Sequence, residues 1–70
     1  MDLENRLKEI RQDRGLTQES LAQAAGVTRQ TIIAVEQGKF RPSVELALRI
    51  AKELDTSVHE IFWLKGDQPG

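Results

Sequence analysis

The chain has 70 residues and a net charge of −1, enough for one small domain whose core has little margin. It has no cysteine and one histidine, which excludes a disulfide framework and a cysteine zinc site and leaves few ligands for a transition metal. No run approaches the ~20 apolar residues of a membrane span, and the start Met1-Asp2-Leu3-Glu4-Asn5-Arg6 carries charge at once, unlike a signal peptide. The expectation is a cytoplasmic protein that needs neither membrane nor cofactor.

In chain order, five helical segments account for nearly everything, and no period-two strand pattern interrupts them. The first is expected over residues 3 to 14, with Leu3, Leu7 and Ile10 on one face and Gly15 as its stop. The second starts after Thr17 as N-cap and runs through Leu21, Ala22 and Ala25 to a tight turn at Gly26. The third starts after Thr28 and ends near Gln37-Gly38. Ser43 caps a fourth, whose Leu46, Ala47, Ile50, Ala51 and Leu54 form a wide apolar stripe. Ser57 with Glu60 has the spacing of a capping box for a short fifth helix through Val58, Ile61 and Phe62. The fold class is therefore expected to be all-α, one five-helix domain over residues 1–66, with a flexible tail over 67–70.

Residues 17–36 then read as two short helices joined at Gly26, the layout of a helix-turn-helix. At about 100° per residue, Ile32 and Val35 of the third helix point inward, while Gln30, Ala34 and Gln37 point outward, flanked by Ile33 and led by Arg29. These outward groups suit a major groove. Arg can bond guanine in bidentate fashion, Gln can bond adenine, and aliphatic groups can pack on a thymine methyl. Gln18, in the first turn of the second helix, can meet a phosphate oxygen. Lys39 and Arg41, in the loop after the third helix, can bind the DNA backbone as charges, with Gln37 beside them. The net charge hides this local bias: residues 29–41 hold Arg29, Lys39 and Arg41 against Glu36 alone.

Arg11 and Glu36 are placed to pair across the first and third helices and to orient the reading helix without touching a base. The last helix has more apolar side chains than one face can hold. Trp63, with Leu64 and Phe40, either closes a two-fold contact with a second copy or folds back over a small core; spacing leaves both open. His59 stands alone, and no catalytic set can be assembled from the side chains present.

The segments Leu16-Thr17-Gln18-Glu19-Ser20-Leu21-Ala22, Gly26-Val27-Thr28-Arg29-Gln30-Thr31-Ile32, Glu36-Gln37-Gly38 and Arg41-Pro42-Ser43 together closely resemble the lambda-repressor-like, or Cro-type (XRE), helix-turn-helix family. The resemblance covers about residues 3 to 64. It implies that Gln18 grips a phosphate, that Arg29 and Gln30 open the recognition helix and contact bases, and that Thr31 touches the backbone. It also implies an interhelical ion pair between Arg11 and Glu36 and a basic loop at Lys39 and Arg41. Ile33 and Ala34 depart from the polar reading residues common in relatives, leaving methyl contacts there. A transcriptional regulator, expected to repress, is implied, bound to double-stranded DNA as a homodimer with no small-molecule effector. The rival reading is a protein-interaction module, antitoxin-like or a complex subunit, in which the Trp63 and Phe40 surface is primary.

Overall fold

The computed structural model describes residues 2–68. Its elements are β1 (Leu3–Asn5), α1 (Leu7–Asp13), α2 (Gln18–Ala25), α3 (Arg29–Glu36), α4 (Val44–Glu53), α5 (Val58–Ile61) and β2 (Phe62–Leu64). Side-chain caps set three of the helix starts in the middle of the chain. Thr17, Thr28 and Ser43 each hold an extended backbone and accept a hydrogen bond from the N–H three residues on. At Thr17 the box is closed by Ser20, whose hydroxyl accepts from the Thr17 N–H at 2.9 Å. Between α2 and α3 the chain reverses at Gly26, which adopts φ 75°. That left-handed conformation selects glycine; a Cβ there would only push aside the tip of the exposed Arg49 side chain, 2.9 Å away.

The core is continuous. Leu7, Leu21, Ile32, Val35, Ile50 and Ile61, at least one from each helix, are fully buried, as is Leu54 at the C-cap of α4. None of these helices is long enough to be stable alone, so packing of their apolar faces holds them. Helix α2 packs against both α3 and α4. No described helix is long and apolar enough to cross a membrane.

The all-α expectation needs correction at both ends. Residues 3–5 are extended, not helical, and pair antiparallel with residues 62–64, so the five helices are joined by a two-stranded sheet. Helix α1 begins only at Leu7 because the Asn5 side chain accepts from the Leu7 N–H at 3.0 Å, closing a turn just before it. Helix α5 ends at Ile61, and Phe62 turns to φ −124°, ψ 140°. Strands of three residues are too short for an alternation to be visible.

The capping box expected at Ser57 is only half formed. Ser57 accepts from the Glu60 N–H, but the Glu60 carboxylate turns to Arg6 at 2.8 Å, a charge-assisted bond in place of one to a backbone amide. At the C-terminal end, Asp67 N–H closes a turn onto the Leu64 carbonyl at 2.9 Å. Pro69 and Gly70 of the expected tail lie outside the described residues.

Candidate nucleic-acid interface

Helix α3 has two unlike faces. Ile32 and Val35 are buried in the core, whereas Arg29 and Gln30 are exposed and Thr31, Ile33 and Ala34 are half-buried. Gln37 and Lys39 are exposed just after it, as is Arg41, whose side chain is engaged within the structure. Lys39 N–H donates back to the Ala34 carbonyl, and Gly38 N–H to Val35, which folds the basic loop against the end of α3. The loop thus stays beside the helix it follows.

The C-terminal end of α3 is fixed from behind. Arg11 Nε donates to Glu36 Oε2 at 2.7 Å, and the two side chains are only 8% and 5% exposed. Arg11 Nη1 also donates to the Leu16 carbonyl at 2.8 Å, so one guanidinium ties α1, the α1–α2 loop and α3 together. Burying such a pair costs desolvation, and its contribution lies in orientation more than in net stability. Asn5 adds a tie that the sequence reading missed: its Nδ2 donates to the Val35 carbonyl at 3.0 Å. The one sign of it in the sequence is a lone amide just before the first helix.

Gln18 links this anchor to the exposed end. Its Nε2 donates to Glu36 Oε1 at 3.1 Å, and its Oε1 accepts from Arg29 Nε at 3.4 Å. The sequence places Gln18 at a helix start facing a phosphate; its hold on Glu36 was not foreseen. Arg11, Glu36, Gln18 and Arg29 therefore form one chain of contacts from the core to the surface. Because Arg11 neutralises Glu36 inside the protein, the exposed charges of α3 and its loop are all positive. Exposed carboxylates border this face without joining it: Glu19, in the first turn of α2, lines a groove with Gln18 and Arg29, and Glu4 and Glu9 line one with Gln37.

The three residues expected at a two-fold contact part company. Phe40 and Leu64 are exposed, by 49% and 42%. Trp63 is buried and folds back on its own chain, with the Arg6 guanidinium 5.8 Å from its ring centroid. Two further apolar side chains, Val44 and Leu48 on α4, are exposed off the stripe that the sequence marks as core.

Comparison with known proteins agrees with this geometry. A Helix-turn-helix family model matches residues 7–61. The chain is 43% identical over 63 residues to the uncharacterized HTH-type transcriptional regulator YgzD of Bacillus subtilis, covering 90% of this chain and 96% of that one. It is 52% identical over 62 residues to an uncharacterized HTH-type transcriptional regulator of Methanothermobacter thermautotrophicus, covering 87% and 90%. Among solved structures, the restriction-modification controller protein C.AhdI of Aeromonas hydrophila superposes with a TM-score of 0.71 at 36% identity, over 74% of this chain and 75% of that one. A third helix locked from behind by α1 and α2, and sequence likeness over nearly the whole chain, make this protein a member of the XRE-type helix-turn-helix family of transcriptional regulators.

Proposed function

We propose that the chain binds double-stranded operator DNA in a sequence-specific manner and represses transcription, acting as a homodimer with one α3 in each of two major-groove half-sites. One observation carries the reading: Arg29 and Gln30 stand exposed on a helix whose opposite face is buried and whose far end is pinned by Glu36 and Asn5. Arg29 and Gln30 read base edges, Ile33 and Ala34 offer methyl contacts, and Gln18, Thr31, Gln37, Lys39 and Arg41 meet the phosphates. The Nε2 of Gln18 carries two hydrogens, and only one is engaged by Glu36, so the second serves a phosphate without breaking the anchor. The domain measures 31 × 21 × 18 Å, a size at which two copies side by side can serve half-sites roughly 34 Å apart.

The test is fluorescence anisotropy on an operator selected from a random duplex library, against a scrambled duplex. Wild-type protein prefers its operator, and its affinity falls with salt at a slope of about −4 for the four cationic phosphate contacts that Lys39 and Arg41 make in the dimer. Arg29→Ala reduces the preference by tenfold or more, roughly the value of one bidentate base contact. Lys39→Ala weakens both duplexes alike. Equal loss on both duplexes in the Arg29 variant contradicts base reading, and no binding to any duplex at low salt favours the protein-interaction module.

A further inference from the structure

The outer edge of β2 carries a donor and an acceptor that nothing in the chain satisfies. In the pairing with β1, Lys65 N–H donates to the Asp2 carbonyl and Arg6 N–H to the Ile61 carbonyl. With the register Leu3 to Leu64 and Asn5 to Phe62, this makes both of those pairs non-hydrogen-bonded, so their backbone groups point away from the partner strand. On β2 the outward groups are thus the N–H and C=O of Phe62 and of Leu64. Two of the four are engaged: Phe62 N–H donates to the Val58 carbonyl, closing α5, and the Leu64 carbonyl accepts from Asp67. Phe62 C=O and Leu64 N–H remain, and among the described residues neither meets a partner.

These two groups are self-complementary. In an antiparallel bridge centred on one residue, the C=O before it accepts from the N–H after the facing residue, and the reverse bond completes the ring. Set against a second copy of itself, β2 offers that arrangement about Trp63: Phe62 C=O to Leu64 N–H of the second copy, and Leu64 N–H to Phe62 C=O of the second copy. With α5 closing one end of the edge and the Asp67 turn the other, only a strand of about this length fits, and a two-fold axis leaves none of the four groups over.

Side chains point the same way. Leu64 is half exposed beside a groove of about 330 Å³ lined by Val58 and His59 of α5 and by Phe62 and Trp63 of β2. The bridge sets Leu64 of each copy opposite Phe62 of the other, on one face of the joined sheet. Trp63 also holds the buried side-chain polar atom without a partner among the described residues, its Nε1, so unmet hydrogen-bonding groups gather on this strand. We infer that the homodimer of the proposed function, on which this inference rests, is joined by β2 pairing with β2 of a second copy about Trp63, through the Phe62 carbonyl and the Leu64 N–H. The Trp63 side chain stays within its own chain, and its backbone lies at the axis.

A chain of 70 residues is short enough to be made by chemical ligation, and N-methylleucine at position 64 deletes one donor while keeping the side chain. Sedimentation of the wild type at micromolar concentration should give a dimer, not the 7.9 kDa monomer. N-methylleucine at 64 should raise the dimer dissociation constant by about tenfold or more, because two symmetry-related bonds vanish together. Leu64→Pro should do the same by recombinant means, with circular dichroism checking the helices. Leu64→Ala keeps the N–H and should weaken the dimer less than N-methylation does. An N-methylated chain that dimerises as tightly as wild type overturns the strand pairing and leaves a homodimer through another surface. A monomeric wild type that still binds duplex DNA overturns the pairing alone, whereas a dimer that binds no duplex overturns the DNA reading and leaves the pairing standing.

Discussion

The two ends of α3 are built in opposite ways. At the C-terminal end, Glu36 accepts from Arg11 and Gln18, the Val35 carbonyl accepts from Asn5, and the loop folds back onto Ala34. At the N-terminal end, Thr28 caps the helix and Arg29 has a single long bond at 3.4 Å to Gln18. The helix is thus placed by one end and presents adaptable side chains at the other. A reader of base edges needs both properties: a fixed axis, so that register is not lost, and side chains that settle only when a base is present.

The largest effect should come from breaking the fixed end. Glu36→Ala leaves the Arg11 guanidinium buried without its carboxylate, a loss of about 3 to 5 kcal/mol, on the scale of a small domain's whole stability. Urea denaturation reads it directly. Replacing both partners, as in Arg11→Met with Glu36→Leu, should recover most of that loss, because no buried charge is stranded. If the single and double variants lose the same stability, the pair is not what holds this end.

Breaking the exposed end should do the reverse. Arg29→Ala should leave the unfolding free energy from urea denaturation within about 0.5 kcal/mol of wild type, as for an exposed side chain, while the preference for operator falls as described above. A large stability loss in this variant would mean that Arg29 belongs to the anchor and not to the reading surface.

A smaller loss tests the tie that enters from the sheet. Asn5→Ala removes two hydrogen bonds, to the Val35 carbonyl and from the Leu7 N–H, and should cost about 1 to 2 kcal/mol. Amide exchange should quicken at Leu7 and at the sheet while α4 keeps its protection.

How much of this was legible in the sequence follows the range over which each force acts. Helix starts were readable at Thr17, Thr28 and Ser43 because a cap is settled within four residues. The inward face of α3 followed from spacing alone, since Ile32 and Val35 sit three apart on a 3.6-residue period. The sheet was not readable: its strands are three residues long and lie at opposite ends of the chain, so neither alternation nor a nearby turn announces them. Glu60 was misassigned for the same reason, as its competing partner Arg6 is 54 residues away. Trp63 had two readings because burial by a distant Arg6 and burial by a second copy look alike in one dimension.

Gln18 sharpens the comparison because it belongs to both ends. Gln18→Ala removes one donor from Glu36, but Arg11 still neutralises that carboxylate, so stability should fall by only about 0.5 to 1 kcal/mol. On the proposed DNA reading, the same change removes a phosphate donor and the acceptor that steadies Arg29. Affinity should therefore drop on every duplex, with a further drop on the operator from the freed arginine. Gln18→Glu separates the two roles: it keeps an acceptor for Arg29 but sets a second carboxylate against Glu36 and the phosphate. Anisotropy on the operator and a scrambled duplex should rank wild type above Gln18→Ala above Gln18→Glu on both. If Gln18→Ala weakens the operator and the scrambled duplex equally, Gln18 does not steady Arg29, and the two ends of α3 act independently.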